Sequence, residues 1–216
     1  MASLPQFLDS IESGGGPLPG FAGAPVSHVL HGLGMAGQEE TNWCWSAVTQ
    51  AVLRYLRGTV ISQEDIASTH AQRSGKPYVC GPPQRKKTVG GRCADLACQG
   101  SCNDAHILRI ILKEQGCYDG LLSSDAAPTF SQIRSEVDAG RPVACRIQWS
   151  DSGGHFVLVS GWTIGADDVE RVHVLDPAAN EGGRAIVERV LPHTTFASAY
   201  TQSGVTGRVN YSYKVR

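Results

Sequence analysis

The sequence predicts an α+β fold, with a helical N-terminal half packed on a C-terminal antiparallel β-sheet. Residues 44–56 repeat their apolar side chains at helical spacing, and three further stretches before residue 141 read the same way. From Pro142 onward the texture changes to runs rich in Val and Ile, separated by turn residues. One of these runs, HFVLVSGW, is apolar on nearly every residue, which is the mark of a central strand covered on both faces. Helices first and strands second is the order of an α+β domain with segregated layers.

Taken in chain order, residues 1–37 form a Gly/Pro-rich segment (GGGPLPGFAGAP) that reads as a flexible N-terminal arm, with VSHVL as a short strand inside it. Residues 38–216 read as a single domain. In the first helix Ala47, Val48, Ala51, Val52, Tyr55 and Leu56 share one face. Thr41 or Asn42 is the expected N-cap, and Arg57-Gly58 the stop. Ser62 caps a second helix, SQEDIASTHAQ, whose first turn is acidic. Residues 73–102 show no period and are rich in Gly, Pro and Cys, so they read as an insert loop that needs a staple. Asn103 or Asp104 opens a third helix, AHILRIILKEQG, with Ile107, Ile110 and Ile111 expected on the buried side. A fourth, TFSQIRSEVDAG, ends at Gly140. The strands are then PVACRIQW, HFVLVSGWTIG, RVHVLDP, RAIVERVL and RVNYSYKVR.

Composition narrows the function. In 216 residues, 19 Lys+Arg stand against 20 Asp+Glu, which gives no global field for nucleic acid. No apolar run is long enough to span a bilayer, and nothing calls for a cofactor. The N-terminus lacks a basic region followed by an apolar one, so the expectation is export without a cleaved leader, or a cytoplasmic protein.

The stretch QEETNWCWSAVTQ supplies the chemistry. Cys44 sits where a helix begins, and the unpaired N–H groups and positive end of a helix stabilise a thiolate, the nucleophilic form. A nucleophile needs a base, a group to orient it, and donors for an oxyanion. His155, at the start of the buried strand, is the best base. Gly154 before it leaves room for a substrate backbone. Asp176, at the end of the next strand, is the best orienter, with Asn180 as its rival. Gln38, six residues before Cys44, is the candidate oxyanion donor beside the Cys44 backbone N–H.

These residues, in this order, resemble the papain-like cysteine proteases. NWCWSA, GGHFVLVSGW and VLDP are most similar to the bacterial AvrRpt2-type and C39-like groups, over roughly residues 38–176. The resemblance implies a papain-like fold, with the nucleophile helix packed on a half-barrel of strands. It implies that Cys44 attacks the scissile carbonyl of a polypeptide, that His155 serves as base and then acid, that Asp176 orients His155, and that Gln38 binds the oxyanion. Trp45 would be scaffold and Trp43 would line the cleft. An inhibitory or immunity protein is the further partner such an effector or toxin implies.

Two alternatives stay open. A thioester at Cys44 serves an acyltransferase, transpeptidase or deamidase as well as a peptidase, and the same groove serves a non-catalytic binding module. Four of the seven cysteines, Cys80, Cys93, Cys98 and Cys102, crowd into the insert. Two disulfides there are favoured over a zinc site, because the spacing is loose for metal knuckles. Cys117 and Cys145 pair with each other or with nothing, and Cys44 stays free.

Overall fold

The computed structural model describes residue 24 and residues 26–75, 102–178 and 186–216. The insert cysteines Cys80, Cys93 and Cys98, and the rival orienter Asn180, lie outside the described residues. Cys102 is inside them; it is buried and carries no free thiol.

The chain is α+β, with eight strands and five helices among the described residues. Strand β1 (Val26–Val29) comes from the segment expected to be a flexible arm. It pairs antiparallel with the far half of β4, from Val26↔Ile164 to Val29↔Gly161, so this part of the arm belongs to the sheet. Helix α1 (Cys44–Arg57) ends at Gly58, whose φ of 63° closes the left-handed cap. Helix α2 (Gln63–Arg73) starts at Ser62, whose hydroxyl accepts from the Asp65 N–H, as expected. Helix α3 (Leu108–Glu114) starts later than expected and is turned about its axis, so that of the three expected isoleucines only Ile111 is buried. Leu108, Ile111 and Leu112 are buried, while Ile107 and Ile110 are 55% and 41% exposed. The period was legible but the phase was not, because no side chain caps this helix.

Strand β2 (Tyr118–Ser124) was not expected. It breaks register twice against its partner and contains Gly120 at φ 138°, so no alternation survives in its sequence. Helix α4 (Phe130–Asp138) has a full capping box between Thr129 and Gln132. Then follow β3 (Val143–Trp149), β4 (Gly154–Ile164), β5 (Glu170–Asp176), β6 (Val187–Pro192), the short α5 (His193–Ser198), β7 (Tyr200–Gln202) and β8 (Val205–Val215). Helix α5 and strand β7 are six and three residues long, too short to leave a periodic signature.

The sheet runs β2-β8-β3-β4-β5-β6, with β1 on β4 and β7 on β8. Both of its faces are covered. Helices α1 to α3 form one core with Ala144, Phe156, Leu158, Leu175 and Tyr213. On the other side Phe130, Ile133, Val137 and Phe196 of α4 and α5 meet Ile147, Val157, Val159 and Val174. Helices therefore do not all lie on one side, as segregated layers would require. The continuous apolar reading of β4 is the cause, since a strand with two buried faces needs a layer on each.

Candidate active site

Helix α1 begins at Cys44, and its N-cap is Trp43, which has no side-chain cap hydrogen bond. Thr41 and Asn42, the expected caps, are turned elsewhere. Asn103 Nδ2 donates to the Thr41 hydroxyl at 2.9 Å, and the Asn42 N–H and side-chain amide bond Asn103. No side chain thus competes for the first N–H groups of α1, which stay directed at the Cys44 end. Cys44 is 8% exposed and is a free thiol at the wall of a cleft of about 740 Å³.

His155 enters from the start of β4 and lines the same cleft. Cys44 lies close enough to it to favour its charged form. On its other side Nε2 meets Asp176 Oδ1 at 2.6 Å. Leu158 faces Leu175 across the β4–β5 ladder, which sets Asp176 on the His155 face, one diagonal away. Asp176 is fully buried. Its Oδ1 also accepts from the Ala178 N–H at 2.9 Å, and its Oδ2 accepts from the Tyr200 hydroxyl at 2.5 Å. Trp149 stacks on the imidazole, with centroids 6.0 Å apart and planes 13° apart.

These contacts set the charges. Burial alone favours a neutral imidazole. The hydrogen bond to Asp176 and the nearness of Cys44, with the charge of both, outweigh it and push His155 up to about 10. Burial also works against the Asp176 charge, yet the bonds from His155, Tyr200 and the Ala178 N–H hold its carboxyl below the usual value. Burial beside that carboxylate pushes the Tyr200 hydroxyl far up, so it stays a donor. The arrangement is a carboxylate–imidazolium pair facing a sulfur, with a tyrosine holding the carboxylate from behind.

The structure brings Cys44, His155 and Asp176 together. Gln38 reaches the same cleft, but its two amide protons go to the carbonyls of Glu40 and Thr41, at 3.0 and 2.7 Å. Its buried Oε1 has no partner, so in this conformation Gln38 presents an acceptor and not the expected oxyanion donor.

Of the two tryptophans, Trp45 keeps its expected scaffold place and Trp43 does not take its expected place in the cleft. Trp43 is 1% exposed, and its indole N–H donates to the Cys102 carbonyl at 2.8 Å, so it fills the core beneath the helix start and does not line the cleft. Trp45 packs in the same core and reaches the cleft wall. Gly154 lies on the cleft wall. A Cβ there would come within 2.7 Å of the Arg146 guanidinium and 2.8 Å of the Ile147 carbonyl. The missing side chain makes room for Arg146.

Tyr200 and Trp149 were missed. Trp149 ends a legible strand, but nothing in the sequence says that its ring covers His155. Tyr200 lies on a three-residue strand with no pattern. A second chain of contacts, Glu114 Oε2 to His70 Nδ1 at 2.9 Å and His70 Nε2 to His106 Nδ1 at 3.2 Å, ends at the cleft wall beside Trp45. Cys117 and Cys145 are both free and fully buried, which excludes a bond between them. Among the described residues no cluster of three or more His, Cys, Asp or Glu could hold a metal. No described helix is long and apolar enough to cross a membrane.

A family model described as the Peptidase_C39 like family matches residues 33–207, a span that contains Gln38, Cys44, His155 and Asp176. Among curated proteins no relative matches the chain.

Proposed function

Because the chain belongs to the C39-like peptidase family, we propose that it is a cysteine peptidase that works through a Cys44 thioester. The observation that supports this best is the hydrogen-bonded run from His155 through Asp176 to Tyr200, in the cleft that Cys44 also lines. With Nε2–H held by Asp176, the imidazolium carries its second proton, drawn from the Cys44 thiol, on Nδ1, so that the sulfur attacks as a thiolate. The thiolate attacks the scissile carbonyl carbon, and the carbonyl electron pair moves to oxygen. The Cys44 N–H, first in the helix and without a helical acceptor, donates to that oxyanion. Gln38 joins it only if its amide leaves the Glu40 and Thr41 carbonyls. The tetrahedral species collapses, the C–N bond breaks, and His155 Nδ1–H passes its proton to the leaving amine. A water then loses a proton to His155 and attacks the thioester, which releases the acid and restores the thiol.

Hydrolysis of a peptide mixture, followed by mass spectrometry, tests the reading. The wild type is expected to cleave, and Cys44→Ala and His155→Ala to lose at least about 1,000-fold in turnover. Equal turnover in wild type and Cys44→Ala would sink the proposal.

A further inference from the structure

The cleft wall carries Arg109 of α3 and Arg146 of β3, together with His106 and His155, and no Asp or Glu. Neither arginine forms an ion pair among the described residues. The hydrogen bonds of Arg146 go to neutral acceptors, Asn210 Oδ1 at 3.0 Å and the Gly153 carbonyl at 3.2 Å, which fix its fork without cancelling its charge. The fork lies over Gly154, where a Cβ would meet it at 2.7 Å, so it stands one residue from His155. Both guanidinium charges reach the hydroxyl of Tyr213, another cleft residue. Burial raises that group to about 12 against the pull of Arg146 and Arg109. Two cations without a carboxylate partner on one cleft wall favour an anion there. Outside that wall, the Asp125 carboxylate is engaged by the Tyr211 hydroxyl at 3.2 Å.

We propose that Arg109 and Arg146 form a carboxylate-binding subsite beside the nucleophile, so that the preferred peptide places an acidic group there. A carboxylate matches the guanidinium fork by paired, charge-assisted hydrogen bonds, which a carboxamide does not. The group comes from an Asp or Glu side chain or from a peptide C-terminus. This rests on the peptidase reading above, and its test is built to separate the two.

The first arm needs no turnover. Alkylation of Cys44 by iodoacetate, a carboxylate, is compared with alkylation by neutral iodoacetamide, and each rate is read by peptide mapping. The rate ratio is expected to fall about fivefold or more in Arg109→Gln and in Arg146→Gln. Arg109→Lys is expected to recover most of it. Arg109 is exposed, so its variants keep the fold even where those of Arg146 do not. The second arm compares cleavage of Asp- or Glu-containing peptides with their Asn or Gln counterparts, and of free-acid with amidated C-termini, which tells the two sources apart. A normal alkylation rate with an unchanged ratio in both Gln variants overturns the subsite alone. A Cys44 that neither reagent labels overturns the peptidase reading and the subsite with it.

Discussion

Asp176 has three donors on two oxygens, and Tyr200 holds the oxygen that His155 does not. Tyr200→Phe keeps the ring but leaves Oδ2 without that donor. The expected costs are about 1.5–3 kcal/mol of stability in urea unfolding and a lower alkaline limit of activity, since a freer carboxylate grips the imidazolium less well. Asp176→Asn goes further. Without the carboxylate charge, the alkaline limb of kcat/KM is expected to retreat from near 10 toward the ordinary histidine range, with a rate loss on the order of 100-fold or more. A pH–rate profile of each variant checks this, and an unmoved limb would mean that Asp176 does not set the His155 charge. Under native conditions a thiol reagent is expected to reach Cys44 and leave Cys117 and Cys145 unlabelled. The last two have no exposed surface, and burial pushes Cys117 to about 11 and Cys145 higher. Peptide mapping after a short pulse decides it. At this scale the sequence was legible wherever chemistry restricts residue choice. Cys44, His155 and Asp176 stood out as candidates because few residue types suit a nucleophile, a base and its orienter. Tyr200, Trp149 and the arginines did not, because any surface may carry a Tyr, Trp or Arg and only proximity gives these a role.

Elements show the same division. Helices α1, α2 and α4 could be read because each has a strong apolar face or a chemical cap. In α1 the period was legible but the cap was not, since only the fold shows Thr41 and Asn42 committed to Asn103. Strands β3 to β6 and β8 were visible as Val- and Ile-rich runs. Strand β1 was visible too, yet its docking depends on a contact no sequence reports. Gly161 lies where β1 crosses β4, and a Cβ on it would meet the His28 carbonyl at 2.8 Å and the Val29 Cα at 3.0 Å. Both are backbone atoms that cannot rotate away. Gly161→Ala is therefore expected to loosen β1, with faster amide exchange at residues 26–30 and little change in β3. Equal exchange in wild type and variant would show that the ladder absorbs the methyl group.

The charged pair at the centre sets how stability of the whole molecule follows pH. His155 rises on folding from an ordinary 6.5 to about 10. Its contribution is complete below 6.5 and is lost as pH climbs through 10. Asp176 falls below its ordinary 3.8 on folding, so its contribution is present above that value and is lost as pH drops through the folded one. Urea midpoints are expected to fall at both ends, between pH 9 and 11 and below pH 4, and Asp176→Asn should flatten both slopes. The sheet order has a consequence of another kind. Strand β8, the last element of the chain, lies between β2 and β3 and not at an edge. Until it inserts, β2 has no partner, and the hairpin that carries Tyr200 does not exist. During translation β8 emerges after both of its neighbours in the sheet, so β2 and β3 are joined only when it arrives. The sheet is thus expected to close in one late, cooperative step.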